Sequence, residues 1–105
     1  MSAIERRQLL LEVLCHRRHD TYHNLAYEFN VSRETIRNDV ITLMRFYPLE
    51  TVRGRYGGGV KVSDWFYPGS TSLSPKQFTL LVKLRNQLNG DDLIVLNSIL
   101  VQFAP

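Results

Sequence analysis

Residues 32–38, Ser-Arg-Glu-Thr-Ile-Arg-Asn, concentrate the side chains best suited to selective hydrogen bonding in this 105-residue chain. Arg33 and Arg37 carry forked guanidinium groups that match the paired acceptors of guanine or two phosphate oxygens. Asn38 can pair bidentately with adenine, and Glu34 can accept from the amino group of cytosine. Thr35 adds a hydroxyl, and Ser32 together with the amides after it suits a phosphate. A second basic group lies further on. Arg53, Arg55 and Lys61 sit on or beside Gly57-Gly58-Gly59, where the missing Cβ atoms let the backbone approach a phosphate closely. The bland alternatives are a solvated helix face and an ordinary exposed β-turn.

For these groups to act together, a helix must hold the first and a hairpin the second. Ile36, Val40, Leu43, Met44 and Tyr47 recur at helical spacing over 33–46, with Ser32 as N-cap and Pro48 as stop. That stripe turns Glu34, Thr35, Asn38, Thr42 and Arg45 to the opposite side, with Arg33 and Arg37 at the flanks. Upstream, Leu25, Ala26 and Phe29 predict a helix over 22–29, closed by Asn30. Tyr22, Tyr27 and Phe29 read as core or staple residues. The connection 30–32 is short enough to force a sharp crossing, the geometry that presents a following helix to a major groove.

Ser2-Ala-Ile-Glu5 reads as a capping box for a first helix over 3–17, with Ile4, Leu10, Leu11, Leu14 and Cys15 as its buried stripe. After Pro48 the period changes, and 49–56 and 60–62 read as two short strands around the glycine turn. Trp65-Phe66-Tyr67 is expected to pack back on the core, and 68–73 reads as a linker.

The run Leu25-Ala26 through Phe29, Val31-Ser32, Thr35-Ile36-Arg37-Asn38-Asp39-Val40 and Leu43 resembles the helix-turn-helix of DeoR-type winged-helix regulators. Arg53-x-x-Tyr56-Gly57-Gly58 is similar to that family's wing, and the resemblance covers about residues 4–62. It implies a winged helix-turn-helix in which Ser32, Thr35, Arg37 and Asn38 contact DNA and the wing touches backbone or minor groove. The chain departs from the pattern at Asn38, where a second Arg is common, and at Pro48, near a turn often made by Gly. The family's C-terminal sugar-phosphate sensor has no counterpart here. Leu73 to Leu81 looks somewhat like the helical segment that follows the winged helix in WYL-type regulators.

Past the linker, Ser74-Pro75-Lys76-Gln77 is a capping box with Pro at the first helical position. Phe78, Leu81, Leu84 and Leu88 form the next stripe. Asn89-Gly90 ends it, and Asp91 is placed to cap a last, nearly all-apolar helix carrying Leu93, Ile94, Leu96, Ile99, Leu100 and Phe103. The expected fold class is therefore mainly α with a small β-hairpin, a winged helix-turn-helix followed by a C-terminal helical hairpin. The divisions are a DNA-binding domain over 1–67, a linker over 68–73 and a helical pair over 74–105. So apolar a pair is expected to dimerise through Phe78, Leu81, Leu84, Leu88, Leu96, Ile99, Leu100 and Phe103, matching a palindromic operator. The competing arrangement is an intramolecular cap.

Charge supports the same division. The formal net charge is +3, and residues 1–62 hold ten Lys/Arg against seven Asp/Glu, whereas 63–105 hold three of each. Nine of those ten cations are Arg, the better phosphate and guanine ligand. Cys15, His16, His19 and His23 are metal-ligating types, but the helix is expected to end among them, so no metal or other cofactor is expected. No nucleophile has a recognisable partner base, and the glycine run lacks phosphate-loop spacing, so no enzyme is expected. A single cysteine excludes an internal disulfide. Glu5, Arg6 and Arg7 follow directly on Met-Ser-Ala-Ile, unlike a signal peptide, and no apolar run is long enough for a membrane span. The expected location is the cytoplasm, and the expected partners are double-stranded DNA and a second copy, with no small-molecule effector evident. A protein-interaction module and a DNA-remodelling accessory factor are the rival readings.

Overall fold

The Ser2 hydroxyl accepts from the Glu5 amide at 3.1 Å, and α1 (Ala3–Arg17) follows from that cap. The computed structural model, which describes residues 1–55 and 57–105, places α1 in a unit formed by Met1–Asp64; Trp65–Pro105 form a second unit. Among the described residues the Glu5 carboxylate makes no return bond, so only half of the expected capping box forms. The buried stripe starts at Leu10 and continues through Leu11 and Leu14. Ile4, expected in it, is 78% exposed, because at that end of the helix Arg6 and Arg7 are the residues that reach across. Cys15 is half-buried.

A three-residue strand, β1 (His19–Thr21), precedes α2 (Tyr22–Phe29). Nothing in its polar sequence predicts a strand; its partner lies some forty residues downstream. Thr21 caps α2 through the Asn24 amide at 3.1 Å, and α2 buries Tyr22, Leu25 and Ala26. Tyr27 is 85% exposed, which corrects its assignment to the core: the stripe 22, 25, 26, 29 passes it by.

The next helix, α3 (Arg33–Met44), packs on α1 and α2 and buries Ile36, Asp39, Val40 and Leu43. It ends two residues earlier than expected. The Phe46 and Tyr47 amides both turn back onto the Leu43 carbonyl, ahead of Pro48, whose ring keeps the preceding residue out of the helical region. Met44 and Tyr47 thereby leave the expected core stripe, each 39% exposed.

Strands β2 (Leu49–Val52) and β3 (Gly59–Val62) complete an antiparallel sheet in the order β1-β3-β2. The first hairpin strand stops at Val52, short of its expected end at Tyr56, which lies outside the described residues. Directly opposed residues share a face. Leu49 opposite Val62 and Thr51 opposite Val60 therefore form the side that buries Leu49, Val60 and Val62. Glu50, Lys61 and His19 form the other side. Two glycines are obligatory here. Gly58 has φ 79° and a Cβ on it would lie 2.6 Å from the Val52 carbonyl oxygen; one on Gly59 would strike the Asp20 carbonyl of the neighbouring strand.

In the second unit the expected capping box is complete. Ser74 Oγ accepts from the Gln77 amide and Gln77 Oε1 from the Ser74 amide, and α4 (Pro75–Leu84) begins with Pro at its first position. The α-helix stops at Leu84. Arg85–Gln87 tighten into a 3-10 turn and Leu88 is extended, so the expected stripe breaks before its last member. In α5 (Gly90–Gln102) Asn89, not Asp91, holds the N-cap position; Asp91 and Asp92 lie in the first turn. The Leu73 amide donates to the Phe103 carbonyl, joining the two ends of the unit. The aromatic run falls within this unit. Trp65 meets Phe66 edge-on with ring centroids 6.2 Å apart, and Tyr67 is 61% exposed.

Candidate nucleic-acid interface

Between α2 and α3 the chain reverses in three residues. Asn30 takes the left-handed conformation (φ 54°, ψ 48°), a region Asn tolerates better than most residues. Its amide and that of Val31 donate to carbonyls of the last α2 turn, satisfying that helix end. Ser32 is extended and caps α3, with Oγ 3.1 Å from the Thr35 amide and 3.0 Å from Thr35 Oγ1. Ser32 and Thr35 are thus already hydrogen-bonded to each other. Arg33, Glu34 and Asn38 are exposed, and Thr35 and Arg37 are half-buried.

Two arginines join this helix end to its surroundings. Arg33 donates to His23 Nδ1 at 2.9 Å. A guanidinium can only donate, so that ring nitrogen is the acceptor in this contact. Arg37 donates to the Gly57 carbonyl at 3.3 Å and its guanidinium lies 5.2 Å from the centroid of the Tyr22 ring. Burial pushes the Tyr22 hydroxyl up, partly opposed by the positive charge of Arg37. A Cβ on Gly57 would lie 3.5 Å from a guanidinium nitrogen of Arg33 and 3.6 Å from one of Arg37. The start of α3 and the glycine turn therefore adjoin. Arg53 and Arg55 lie exposed on the strand-to-strand connection that carries this turn.

Lys61 is half-buried on the outer side of the sheet between His19 and Glu50. With Arg55 it lines a cleft of about 440 Å³. The structure thus brings Arg33 and Arg37 together with Gly57 at the turn, and Arg55 together with Lys61 beneath it.

One acidic group of α3 is withdrawn from this basic surface, whereas Glu50 and Asp64 stay exposed beside Lys61 and its cleft. Asp39 is 1% exposed, gripped by Arg6 through Nε at 2.5 Å and Nη2 at 3.0 Å, and by Arg7 Nε at 3.0 Å. The same bonds push the Arg6 guanidinium further up. Glu28 pairs with Arg17 at 2.9 Å. Glu34 is exposed and makes no ion pair among the described residues.

His23, Tyr27 and Asn30 join Arg33 around a shallow surface groove of about 740 Å³ on the α2 side. Periodicity could have placed Tyr27 there, since it falls off the α2 stripe. The Arg6–Asp39–Arg7 cluster left no sequence signal, its members being more than thirty residues apart.

Of the residues expected to dimerise, Leu96 and Leu100 are buried, Phe78, Leu81, Leu84, Leu88 and Ile99 are half-buried, and Phe103 is 36% exposed. No cluster of three metal-ligating side chains occurs among the described residues, and burial pushes the Cys15 thiol up. No described helix is long and apolar enough to cross a membrane. No curated protein and no solved structure matches the chain significantly. The sequence profile of the family described as "HTH domain" matches residues 6–61, the segment that contains α2, the turn, α3 and all of the sheet but its last residue, Val62.

Proposed function

The chain belongs to the helix-turn-helix domain family, a DNA-binding fold, and on that premise we propose that it is a sequence-specific transcriptional regulator acting by occupancy of duplex DNA. In this reading α3 enters the major groove. Asn38 pairs with adenine, while Thr35 and Glu34 select neighbouring bases. Arg33, Arg37, Arg53, Arg55 and Lys61, with Ser32 at the helix start, set the register on the phosphates. Arg37 has two duties, bracing the wing through Gly57 and contributing charge beside it. The Val31-Ser32-x-x-Thr35-Ile36-Arg37 run supports a DeoR-type affiliation within the family.

One observation carries the reading. Glu34 and Asn38 stand exposed at the start of a helix whose first turn is tied to the glycine turn by Arg37. Helix and wing then meet a duplex as one surface. Residues 1–64 form the DNA-binding part, and 65–105, which include the linker 68–73, supply the means by which two copies pair. A two-fold dimer reads a palindrome with half-sites spaced by about one helical turn or a multiple of it. The protein acts in the cytoplasm, without catalysis or cofactor.

Selection of bound duplexes from random sequence tests this. The expected result is one enriched motif with two-fold symmetry, bound with an affinity that falls steeply with salt. Recovery of no motif, with salt-insensitive binding, overturns it.

A further inference from the structure

The second unit leaves apolar surface without a partner. No residue of α4 is buried, and α5 buries only Leu96 and Leu100. Leu80 on α4 is 57% exposed, and on α5 Ile94, Val95 and Val101 are 67%, 57% and 83% exposed. Ile94, Ser98 and Val101 follow helical spacing, so the exposed residues of α5 make a stripe rather than a scatter. Such a stripe marks an interaction surface.

A groove of about 560 Å³ runs along α4, lined by Trp65, Lys76, Thr79, Leu80 and Lys83 among others. The Lys76 ammonium lies 4.9 Å above the Trp65 ring. An apolar floor edged by two ammonium groups fits a helix whose apolar residues are accompanied by carboxylates. The unit's own charges are segregated in that sense. Its basic side chains, Lys76, Lys83 and Arg85, lie on α4 and the 3-10 turn, and its acidic ones, Asp91 and Asp92, lie in the first turn of α5. Although α4 packs on α5, no ion pair among the described residues joins them.

We propose that the groove along α4 receives α5 of a second copy of the chain. Ile94 and Val95 of that copy sit against Trp65 and Leu80, and its Asp91 and Asp92 meet Lys76 and Lys83. The two-fold operation repeats the contact, so four helices close on each other. This rests on the homodimer reading above and supplies its surface: the outer residues Leu80, Ile94, Val95 and Val101, in place of side chains already buried or half-buried. Lys83, Asp91 and Asp92 also suit their own helix ends, so exchange is a sharper test than removal.

The full chain is weighed in solution by light scattering. Wild type is expected at the mass of two copies. Lys76→Glu/Lys83→Glu opposes acid to acid, and Asp91→Lys/Asp92→Lys opposes base to base. Each alone is expected as a monomer, with a dissociation constant raised at least about ten-fold. Mixed in equal amounts, the two variants restore opposite charges at both contacts and return to the two-copy mass, which misfolded chains would not do. Variants that stay dimeric alone, or that do not associate when mixed, overturn this surface and leave the dimer standing. A monomeric wild type overturns the dimer itself.

Discussion

Met1–Asp64 and Trp65–Pro105 use their apolar residues differently. The first unit encloses a core drawn from all three helices and two strands, and Leu10, Leu14, Leu25, Ile36, Val40 and Val60 are wholly excluded from solvent. The second buries Leu96 and Leu100 and exposes side chains of equal size. Removing a buried methylene from water is worth about 0.8 kcal/mol, so the first unit is equipped to hold its shape unaided. That matters for recognition, because base reading needs side chains on a rigid support. The second unit has apolar surface still to bury, which is the condition of a surface that gains stability by association.

The largest effect that sharpens this contrast comes from core truncation. Ile36→Ala is expected to cost about 3–4 kcal/mol, with DNA binding lost together with the first unit's cooperative melting. Leu96→Ala, in a core with less to collapse, is expected to cost less and to leave the first unit's transition in place, as calorimetry would show; equal losses would break the distinction. Next comes the buried charge cluster. Asp39→Asn, which leaves Arg6 and Arg7 without their carboxylate, is expected to lower stability by about 2 kcal/mol, discounted for the partial exposure of both arginines. A denaturation midpoint equal to wild type would remove the cluster from the list of what holds α1 to α3.

Smaller effects separate the units by their part in recognition. Asn38→Ala is expected to relax discrimination at one base position by about 1–3 kcal/mol in a binding titration. Full discrimination in that variant would take Asn38 out of base reading. Arg55→Ala is expected to weaken all sequences alike and to flatten the salt slope by about 0.9 per protomer, the value of one phosphate contact. Lys83→Ala, in the other unit, is expected to leave the slope of the bound dimer unchanged; a matching change would place DNA on both units. The smallest effect is chemical. Burial raises the Cys15 thiol, so less thiolate is present near neutral pH than for a free cysteine. Alkylation should be slow in the folded chain, accelerate as pH rises past the ordinary thiol range, and become fast on unfolding. Rapid labelling of folded protein at neutral pH would contradict this.

Much of the first unit was legible because its elements are local. Ser32, Asn30 and Pro48 act on their immediate neighbours, and the stripes of α2 and α3 have a 3.6-residue period. The failures share one cause. His19–Thr21 forms a strand only because Gly59–Val62 lies beside it, and no local pattern announces that pairing. The burial of Asp39 has no local signal because its partners Arg6 and Arg7 belong to another helix. Met44 lies at the edge of its stripe, beside buried Leu43, where the helix ends and the core gives no further cover.

The sequence by itself determined the helices, the caps at Ser2, Ser32 and Ser74, the three-residue turn and the identity of the side chains that α3 can offer to DNA, since each depends on residues within a turn or two. Only the tertiary structure decided how those side chains are held: Arg37 on Gly57, Arg33 on His23, and Asp39 drawn inward by two arginines. Those contacts join residues ten to thirty-three positions apart. Their formation depends on how packed elements fall in space, which periodicity along the chain does not encode.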